Sequence, residues 1–225
     1  MENEKKPWIK TWKGVLAIIF SAIILFFVSA SIFYFISEIK NAQIKLKESE
    51  TKLSGQTYNA SKGEHYWTGS ENAKITIVEF GDFACSACAQ SFKTSREISL
   101  KYKNEVQFIW RDYPIMQEYS TDLALAGRCA GEQGLFWQMH DKLFQNQGVN
   151  TADHLMSLAG QIGADAAKFK NCLDQKKYLP QIQKDLSDGQ SFGNAGTPTY
   201  FINGYKISGD IPYDVFVKII EDLKK

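Results

Sequence analysis

Two cysteines separated by two residues, in the segment Cys85-Ser86-Ala87-Cys88, are the residues of this chain best suited to chemistry. They follow the β-branched stretch Lys74–Phe80, which predicts a buried strand, and the residues after the second cysteine predict a helix. A thiol at a helix N-terminus faces unpaired backbone N–H groups and the positive end of the dipole, which favour the thiolate. The spacing predicts a dithiol that attacks a disulfide and then resolves the mixed intermediate.

Half of a zinc site and a plain structural disulfide are the alternatives for this pair. Structural zinc needs four ligands, usually as two close pairs. The other cysteines, Cys129 and Cys172, are far apart in the sequence, and the histidines show no ligand spacing: His65, His140 and His154. The strand, turn and helix around the pair favour redox chemistry, and we expect no metal and no cofactor.

A second motif, Gly196-Thr197-Pro198-Thr199, stands directly before an apolar stretch that predicts the strand Thr199–Ile202. A proline that opens a strand after a small-residue turn is a candidate for a cis peptide bond. An ordinary loop with a trans proline is the alternative.

Together, the two motifs resemble those of the DsbA-like thiol:disulfide oxidoreductases, a thioredoxin-fold family. The family pattern is a strand ending in Glu-Phe, then Asp-Phe-x-Cys-x-x-Cys, and a distant Gly-Thr-Pro-Thr. This chain carries it in Val78–Cys88 and Gly196–Thr199, and the similarity covers about Gly63–Lys225. One position departs from the pattern, because strongly oxidising members have His before the second cysteine and this chain has Ala87.

The resemblance implies a role for each residue of the site. Cys85 would be the nucleophile, partly exposed at the helix start, and Cys88 the less accessible resolving thiol. Glu79 would be a buried acid beneath them, with a raised pKa because burial disfavours its charge. A glutamate satisfied by water or lysine is the alternative. Thr197 and Pro198 would form the cis bond and bind an extended substrate peptide.

Residues 14–37 contain no charged side chain. As a helix they would span about 36 Å, enough for a bilayer core of about 30 Å. We therefore expect a single transmembrane anchor over 14–37, after a cytoplasmic tail of residues 1–13. A cleaved signal peptide is the alternative, because Val28-Ser29-Ala30 offers small residues for cleavage, although signal cores are shorter.

The orientation of this anchor follows from the dithiol, because lysines flank the stretch on both sides. Stable protein disulfides form outside the cytosol, so we expect a cell-membrane protein with an extracytoplasmic catalytic domain. Its expected partners are exported proteins with thiols or disulfides, a membrane redox partner and the lipid bilayer. The net charge of +1 gives no indication of nucleic-acid binding.

The fold predicted downstream is α/β and thioredoxin-like, with an all-α insertion between its βαβ and ββα halves. Residues 38–63 are expected to form a juxtamembrane stalk and linker, and 64–225 the domain, with the insertion at about 118–193. Within the insertion, apolar periodicity predicts helices, with Trp137 in the core and His140 on a helix surface. The Asn203-Gly204 pair predicts a hairpin before the last helix.

Cys129 and Cys172 both lie on predicted apolar helix faces, so we expect a structural disulfide between them. Two free buried cysteines are the alternative. For the protein as a whole, an oxidase that introduces disulfides into exported proteins is the first hypothesis. A disulfide isomerase or reductase of the same fold, and a non-catalytic tethered holdase or soft-metal carrier, are the alternatives.

Overall fold

The computed structural model of the chain describes residues 12, 16, 19–20, 23–37, 40, 57–61, 65–148 and 150–225. The chain divides into two compact units, residues 1–52 and 53–225. In the first unit the described residues are helical, the longest run being 23–37. No helix among the described residues has both the length and the apolar character that crossing a bilayer requires. The predicted tail, anchor and stalk fall largely or partly outside the described residues.

A twisted sheet forms the centre of the second unit. Its strands, among the described residues, are β1 (Tyr66–Gly69), β2 (Ile75–Gly81), β3 (Val106–Asp112), β4 (Thr199–Ile202) and β5 (Tyr205–Ser208). They lie in the order β1-β3-β2-β4-β5. β2 and β3 are parallel, as predicted for the βαβ unit, and the other neighbours are antiparallel. The central place of β2 explains its apolar, β-branched sequence, because both of its faces are covered.

Helices follow in the predicted order. The described helices of this unit are α1 (Ser86–Lys101), α2 (Ser120–Gly131), α3 (Phe136–Gln145), α4 (Ala152–Gln161), α5 (Ala166–Asp174), α6 (Leu179–Ser191) and α7 (Tyr213–Leu223). The first half is β2-α1-β3, the insertion is α2 to α6, and the second half is β4-β5-α7. The predicted thioredoxin-like α/β fold with a helical insertion is confirmed for this unit.

The two faces of the sheet are covered by different elements. Ile77 of β2 packs with Ile98 of α1 and Phe216 of α7 on one face. Val78, the next residue, packs with Phe192, which follows α6, on the other face. This period-2 alternation places Glu79 on the α1 face of the sheet.

β1 is missing from the sequence prediction, which begins the strands of the domain at Lys74. It pairs with β3, with Tyr66 opposite Trp110. Four residues are too few to display strand periodicity, so the pattern of the sequence gave no signal. Gly69 ends the strand at φ +93°, and a Cβ there would lie 2.1 Å from the carbonyl oxygen of Val106.

The domain also begins earlier than position 64. Residues 57–61, which the prediction assigned to the stalk, pack against the sheet. Tyr58 donates its N–H to the carbonyl of Gly204 at 2.9 Å. Ala60 is only 2% exposed, and its carbonyl accepts a hydrogen bond from Arg111 at 3.2 Å. The segment that suggested a linker by its small polar composition pairs with β5 and packs on a hydrophobic cluster of the sheet.

His140 is buried, so its prediction as a helix-surface residue is wrong, whereas Trp137 packs at the edge of the core. His140 is 3% exposed and lies among aromatic rings, 4.9 Å from Trp110 between ring centroids, with its Nδ1 3.0 Å from Asp141. Trp137 is half-buried and donates its indole N–H to the carbonyl of Trp67 at 3.0 Å. The prediction failed because the buried stripe of α3 includes the histidine, which a pattern of apolar residues does not count.

Cys129 of α2 and Cys172 of α5 are joined by a disulfide, with an S–S distance of 1.98 Å and a Cα–Cα distance of 5.7 Å. The bond links two helices of the insertion that are 43 residues apart in the sequence. It belongs to the same buried hydrophobic cluster as Cys85 and Cys88.

Candidate active site

The turn between β2 and α1 is built on Asp82. Its backbone carbonyl accepts the N–H of Cys85 at 3.0 Å, and its carboxylate Oδ1 accepts the N–H of Ala84 at 2.8 Å. An aspartate that bonds the backbone two residues ahead stabilises this type of turn. Cys85 becomes the N-cap residue of α1 in an extended conformation, at φ −80° and ψ 123°. Its sulfur therefore lies at the start of the helix, where unpaired N–H groups are available.

The second carboxylate oxygen of Asp82 binds a separate segment of the chain. Oδ2 accepts the backbone N–H groups of Ile115 and Met116, both at 2.8 Å. Asp82 itself is 2% exposed. One buried carboxylate therefore holds both the cysteine turn and the loop after β3. Its place in the Asp-Phe-x-Cys motif was visible in the sequence, but its contact with a loop 33 residues later was not.

Gln147 is a second residue that the sequence prediction missed. Its side-chain N–H donates to the carbonyl oxygens of Phe83, at 3.0 Å, and Cys85, at 2.9 Å. It follows α3, so it connects the helical insertion to the turn that carries the reactive thiol. An isolated polar residue after a helix offers no sequence signal for such a contact.

The Thr197–Pro198 peptide bond is cis and lies against the dithiol. The Cys85 thiol donates to the carbonyl oxygen of Thr197 at 3.3 Å. Beyond the proline, the carbonyl of Pro198 accepts the N–H of Gly209 at 2.8 Å, which ties this turn to the end of β5. The two motifs that are distant in the sequence thus meet at one sulfur atom.

Both cysteines of the pair are reduced and buried: Cys85 is 2% exposed and Cys88 is 0% exposed. The expectation that Cys85 would be partly exposed is wrong for this state, because Thr197 and Gln147 lie against it. A hydrogen bond from the Cys88 thiol is the main cause that lowers the pKa of Cys85 to about 5, although burial opposes it. The backbone N–H groups of Ala87 and Cys88 lower that pKa further.

The Cys88 thiol behaves in the opposite way. Burial raises the pKa of Cys88, and the hydrogen bond to Cys85 and the charge of Glu79 raise it further. One thiol of the pair is therefore a thiolate at neutral pH and the other remains protonated. This asymmetry suits Cys85 to attack or leave as a thiolate, and Cys88 to react only when its proton is removed.

Glu79 lies on β2 beneath the dithiol and is 2% exposed. Burial raises the pKa of its carboxyl to about 8, against hydrogen bonds from Ser95 and Tyr200 that lower it. In the sheet it stands between Trp110 of β3 and Tyr200 of β4. At neutral pH the carboxyl is mostly protonated, so Glu79 can donate a proton to a departing Cys88 thiolate.

The structure thus brings Cys85, Cys88, Glu79, Thr197 and Pro198 to one place, and the Cys129–Cys172 disulfide lies in the insertion, in the hydrophobic cluster that the dithiol shares. Within the part of the chain that the structure describes, no group of three or more His, Cys, Asp or Glu side chains could hold a metal ion. The groups that the site brings together are two sulfur atoms and a buried acid.

Comparison with known sequences agrees with this geometry. The thioredoxin family profile matches residues 61–222. The Na(+)/H(+) antiporter NhaA 1 of Salinispora arenicola is 33% identical over 143 residues, which is 63% of this chain and 22% of the antiporter. NhaA of Herminiimonas arsenicoxydans is 27% identical over 153 residues, 68% of this chain and 24% of that protein. This chain thus spans about a fifth to a quarter of the length of these relatives.

Solved structures with a similar fold include BdbD from Bacillus subtilis in its oxidised form, with a TM-score of 0.63, 27% identity, and coverage of 76% of this chain and 98% of that one. The thiol-disulfide exchange protein α-DsbA2 from Wolbachia pipientis has a TM-score of 0.66 and 20% identity, and covers 79% of this chain and 96% of its own. The profile match covers most of the chain, and the dithiol and the cis-proline turn lie inside it. The chain therefore belongs to the thioredoxin family, with the fold of the DsbA-like thiol:disulfide oxidoreductases.

Proposed function

We propose that the chain is a membrane-anchored, extracytoplasmic thiol:disulfide oxidoreductase that introduces disulfide bonds into exported proteins. The observation that carries this proposal is the asymmetry of the dithiol: the pKa of Cys85 is lowered to about 5, while that of Cys88 is raised. A pair in which one thiolate is strongly stabilised is a good acceptor of electrons, because its reduced form is favoured.

In the proposed reaction, the oxidised protein carries a Cys85–Cys88 disulfide. A substrate thiolate attacks the Cys85 sulfur, which forms a mixed disulfide and releases Cys88, and Cys88 takes up a proton. A second substrate thiolate then attacks the substrate sulfur of the mixed disulfide and releases Cys85 as a thiolate. The substrate loses two electrons and gains a disulfide, the dithiol gains the two electrons, and a membrane redox partner removes them again.

The turn at Thr197–Pro198 supports this use of the site. Its backbone lies within hydrogen-bond reach of the Cys85 sulfur, as the 3.3 Å contact indicates. Backbone groups beside the reactive sulfur would bind an extended peptide with little dependence on its side chains. Such tolerance suits an enzyme that acts on many exported proteins.

The strength of the oxidase follows from what stabilises the Cys85 thiolate. The Cys88 thiol and the backbone N–H groups at the helix start do so, but Ala87 contributes no cationic or hydrogen-bonding side chain. We therefore expect a reduction potential between about −120 and −230 mV, which is the span from DsbA to the glutaredoxins.

Equilibration of the reduced protein with glutathione tests this proposal, with Cys85→Ser as the variant that cannot form the internal disulfide. We expect a reduction potential between about −120 and −230 mV. We also expect alkylation of Cys85 that is half-maximal near pH 5. A potential near that of thioredoxin, about −270 mV, would instead identify a reductase or isomerase. Equal alkylation rates at Cys85 and Cys88 would contradict the assignment of the nucleophile.

The membrane anchor is supported by the uncharged residues 14–37 and by the side chains of the described helical run 23–37. Large apolar side chains are exposed there, among them Leu25 at 67%, Phe26 at 68% and Phe33 at 76%. The hydroxyls of Ser29 and Ser31 donate to carbonyls of their own helix, both at 2.8 Å, which satisfies them without water. An exposed apolar surface with internally satisfied hydroxyls suits a lipid environment.

Fractionation of cells that express the full chain tests the anchor and its orientation. The chain should remain in the membrane pellet after carbonate extraction, and protease added to intact protoplasts should digest the domain. A variant that lacks residues 14–37 should be recovered in the soluble fraction. Protection of the domain from external protease would contradict the orientation, and recovery of a shortened mature chain would identify a cleaved signal peptide.

A further inference from the structure

We propose that Tyr200 and Ser95 are positioning residues for Glu79, and that their hydroxyl groups control how readily this acid gives a proton to Cys88 and takes it back. The inference rests on the proposed function, because it assigns the groups that tune the acid of that same dithiol. The buried face of α1 has a property that the catalytic role of the cysteines does not explain.

The face of α1 that is buried in the domain is unusually polar. A helix that covers a sheet normally buries an apolar stripe, yet this one buries serines at intervals of four residues together with one cysteine and one isoleucine: Cys88, Ser91, Ser95, Ile98 and Ser99. A buried hydroxyl without a partner is costly, so each serine needs a specific hydrogen bond. The hydrogen-bond partners of these serines indicate what the polar stripe of α1 does.

Two of these hydroxyls lead from the cysteine helix to the acid. Ser91 donates to the carbonyl of Cys88 at 3.1 Å, and its hydroxyl acts to lower the pKa of Tyr200. The Ser95 and Tyr200 hydroxyls are 2.8 Å apart, and both residues are buried, at 4% and 0% exposure. Tyr200 is also the register partner of Glu79 across β2 and β4. The Ser95 and Tyr200 hydroxyls both lower the pKa of the Glu79 carboxyl, against the effect of burial.

Hydroxyl partners have a definite effect on a buried acid. An O–H donor favours the carboxylate but brings no charge, so it offsets part of the penalty of burial and leaves the acid able to titrate near neutral pH. The pKa of Glu79 is accordingly raised only to about 8. A hydrogen bond to a charged group changes its proton affinity about tenfold. Tyr200 and Ser95 together therefore set the pH at which the proton moves.

The proton affinity of Glu79 matters because the reaction moves a proton between Glu79 and Cys88. When a substrate thiolate forms the mixed disulfide with Cys85, the Cys88 sulfur leaves with the electron pair of the broken S–S bond. The Glu79 carboxyl transfers its proton to that sulfur and becomes a carboxylate, which accepts hydrogen bonds from Tyr200 and Ser95. In the reduced protein the carboxylate regains a proton from solvent at neutral pH. Before reoxidation by the membrane redox partner the carboxyl releases that proton to solvent, and the carboxylate then accepts the proton of the Cys88 thiol, which closes the cycle.

Tyr200 could instead serve only to fill the core, because its ring also packs edge-to-face on Phe216 at 5.3 Å. Tyr200→Phe separates the two roles, since it keeps the ring and removes only the hydroxyl. Tyr113→Phe is the matched control: Tyr113 is equally buried, and its hydroxyl donates to the carbonyl of Asn194 at 2.9 Å, away from Glu79. Ser95→Ala removes the second donor and provides an independent variant if Tyr200→Phe fails to fold.

The measurement is the titration of the Glu79 carboxyl in the reduced protein, followed by its infrared carbonyl band and assigned by difference from Glu79→Gln. Tyr200→Phe and Ser95→Ala should each raise the proton affinity of Glu79 about tenfold, whereas Tyr113→Phe should leave the midpoint unchanged. The upper limb of the pH profile for mixed-disulfide formation should move in the same direction. If Tyr200→Phe and Ser95→Ala titrate like the wild type, the inference is overturned. Because this midpoint does not depend on the direction of exchange, it is independent of the glutathione result.

Discussion

Two buried polar regions of the domain are built on different principles. Arg111 and Arg128 form a charge-compensated cluster with Asp112 and Asp185. Arg111 contacts Asp185 at 2.7 Å, and Arg128 contacts Asp112 and Asp185, each at 2.5 Å. Glu79, on the α1 face, has hydroxyl partners instead. All five residues are at most 2% exposed, so the difference lies in the partners and not in the burial.

The comparison shows how the partner decides what a buried acid can do. A guanidinium remains protonated at every physiological pH, so the carboxylates that pair with it always face an opposite charge and serve the structure. Hydroxyls leave the charge of Glu79 free to change with pH, which a proton donor requires. Trp110 separates the two regions: its indole N–H donates to Asp112 at 2.9 Å, and its backbone is in register with Glu79.

The largest effect should come from breaking the charge-compensated cluster. Arg128→Met leaves Asp112 and Asp185 buried and short of a cation, and should lower the free energy of unfolding by about 3–5 kcal/mol. Denaturant unfolding of the reduced domain measures this loss. The potential of the dithiol should stay within error of the wild type, because the cluster makes no contact with either free thiol in the described structure.

Lys177→Met is the matched control for that variant. Lys177 pairs with Glu132 at 2.6 Å, but both side chains are well exposed, at 49% and 39%. Exposed ion pairs contribute about 0–1 kcal/mol to stability, so this change should alter the free energy of unfolding very little. Equal losses from the two variants would mean that burial does not distinguish the cluster from a surface ion pair.

A smaller effect on the free energy of unfolding, one that depends on pH, should distinguish Glu79 from the charge-compensated cluster. The pKa of Glu79 is about 8 in the folded protein and about 4.3 in an unfolded chain. Between these values the folded state holds the proton more tightly, so stability is greatest at low pH and falls as pH rises towards 8. Glu79→Gln stays neutral and should remove a slope of about 1.4 kcal/mol per pH unit.

Chemical denaturation of the wild type and Glu79→Gln across pH 5 to 8 measures this slope as a difference, which cancels the contributions of the other titrating groups. Parallel stability curves for the wild type and Glu79→Gln would show that the carboxyl is already ionised when buried.

The sequence predicted the local features of the fold and of the site well. The strand before the dithiol, the helix that begins at Cys85 and the hairpin at Asn203-Gly204 follow from propensity and turn chemistry, and the structure has all of them. The motif at Gly196–Thr199 indicated a cis bond, which the structure contains. These features depend on residues close together in the chain, and such patterns carry that information.

The features that the sequence could not supply depend on contacts between distant residues. The pairing of Arg128 with Asp185 joins residues 57 positions apart, and no local pattern distinguishes it from two solvated charges. The polar stripe of α1 was visible in the sequence as serines four residues apart. A serine-rich helix face nevertheless predicts exposure to solvent, unless the contact of Ser95 with Tyr200 is known. His140 was misplaced for the same reason, since its buried setting is made by Trp110 and other rings from separate elements.

The loop after β3 is bound by the second carboxylate oxygen of Asp82. Its backbone is therefore more ordered than the exposure of its side chains suggests. Ile115 and Met116 expose 43% and 45% of their surface, which is the usual sign of a mobile surface segment. Their amide hydrogens nevertheless bond to a buried carboxylate, so they should exchange with solvent slowly, as in a core strand. These two apolar side chains are thus presented beside the dithiol on a backbone that folding has already ordered. A polypeptide that covers them would associate without the entropy loss of fixing a loop.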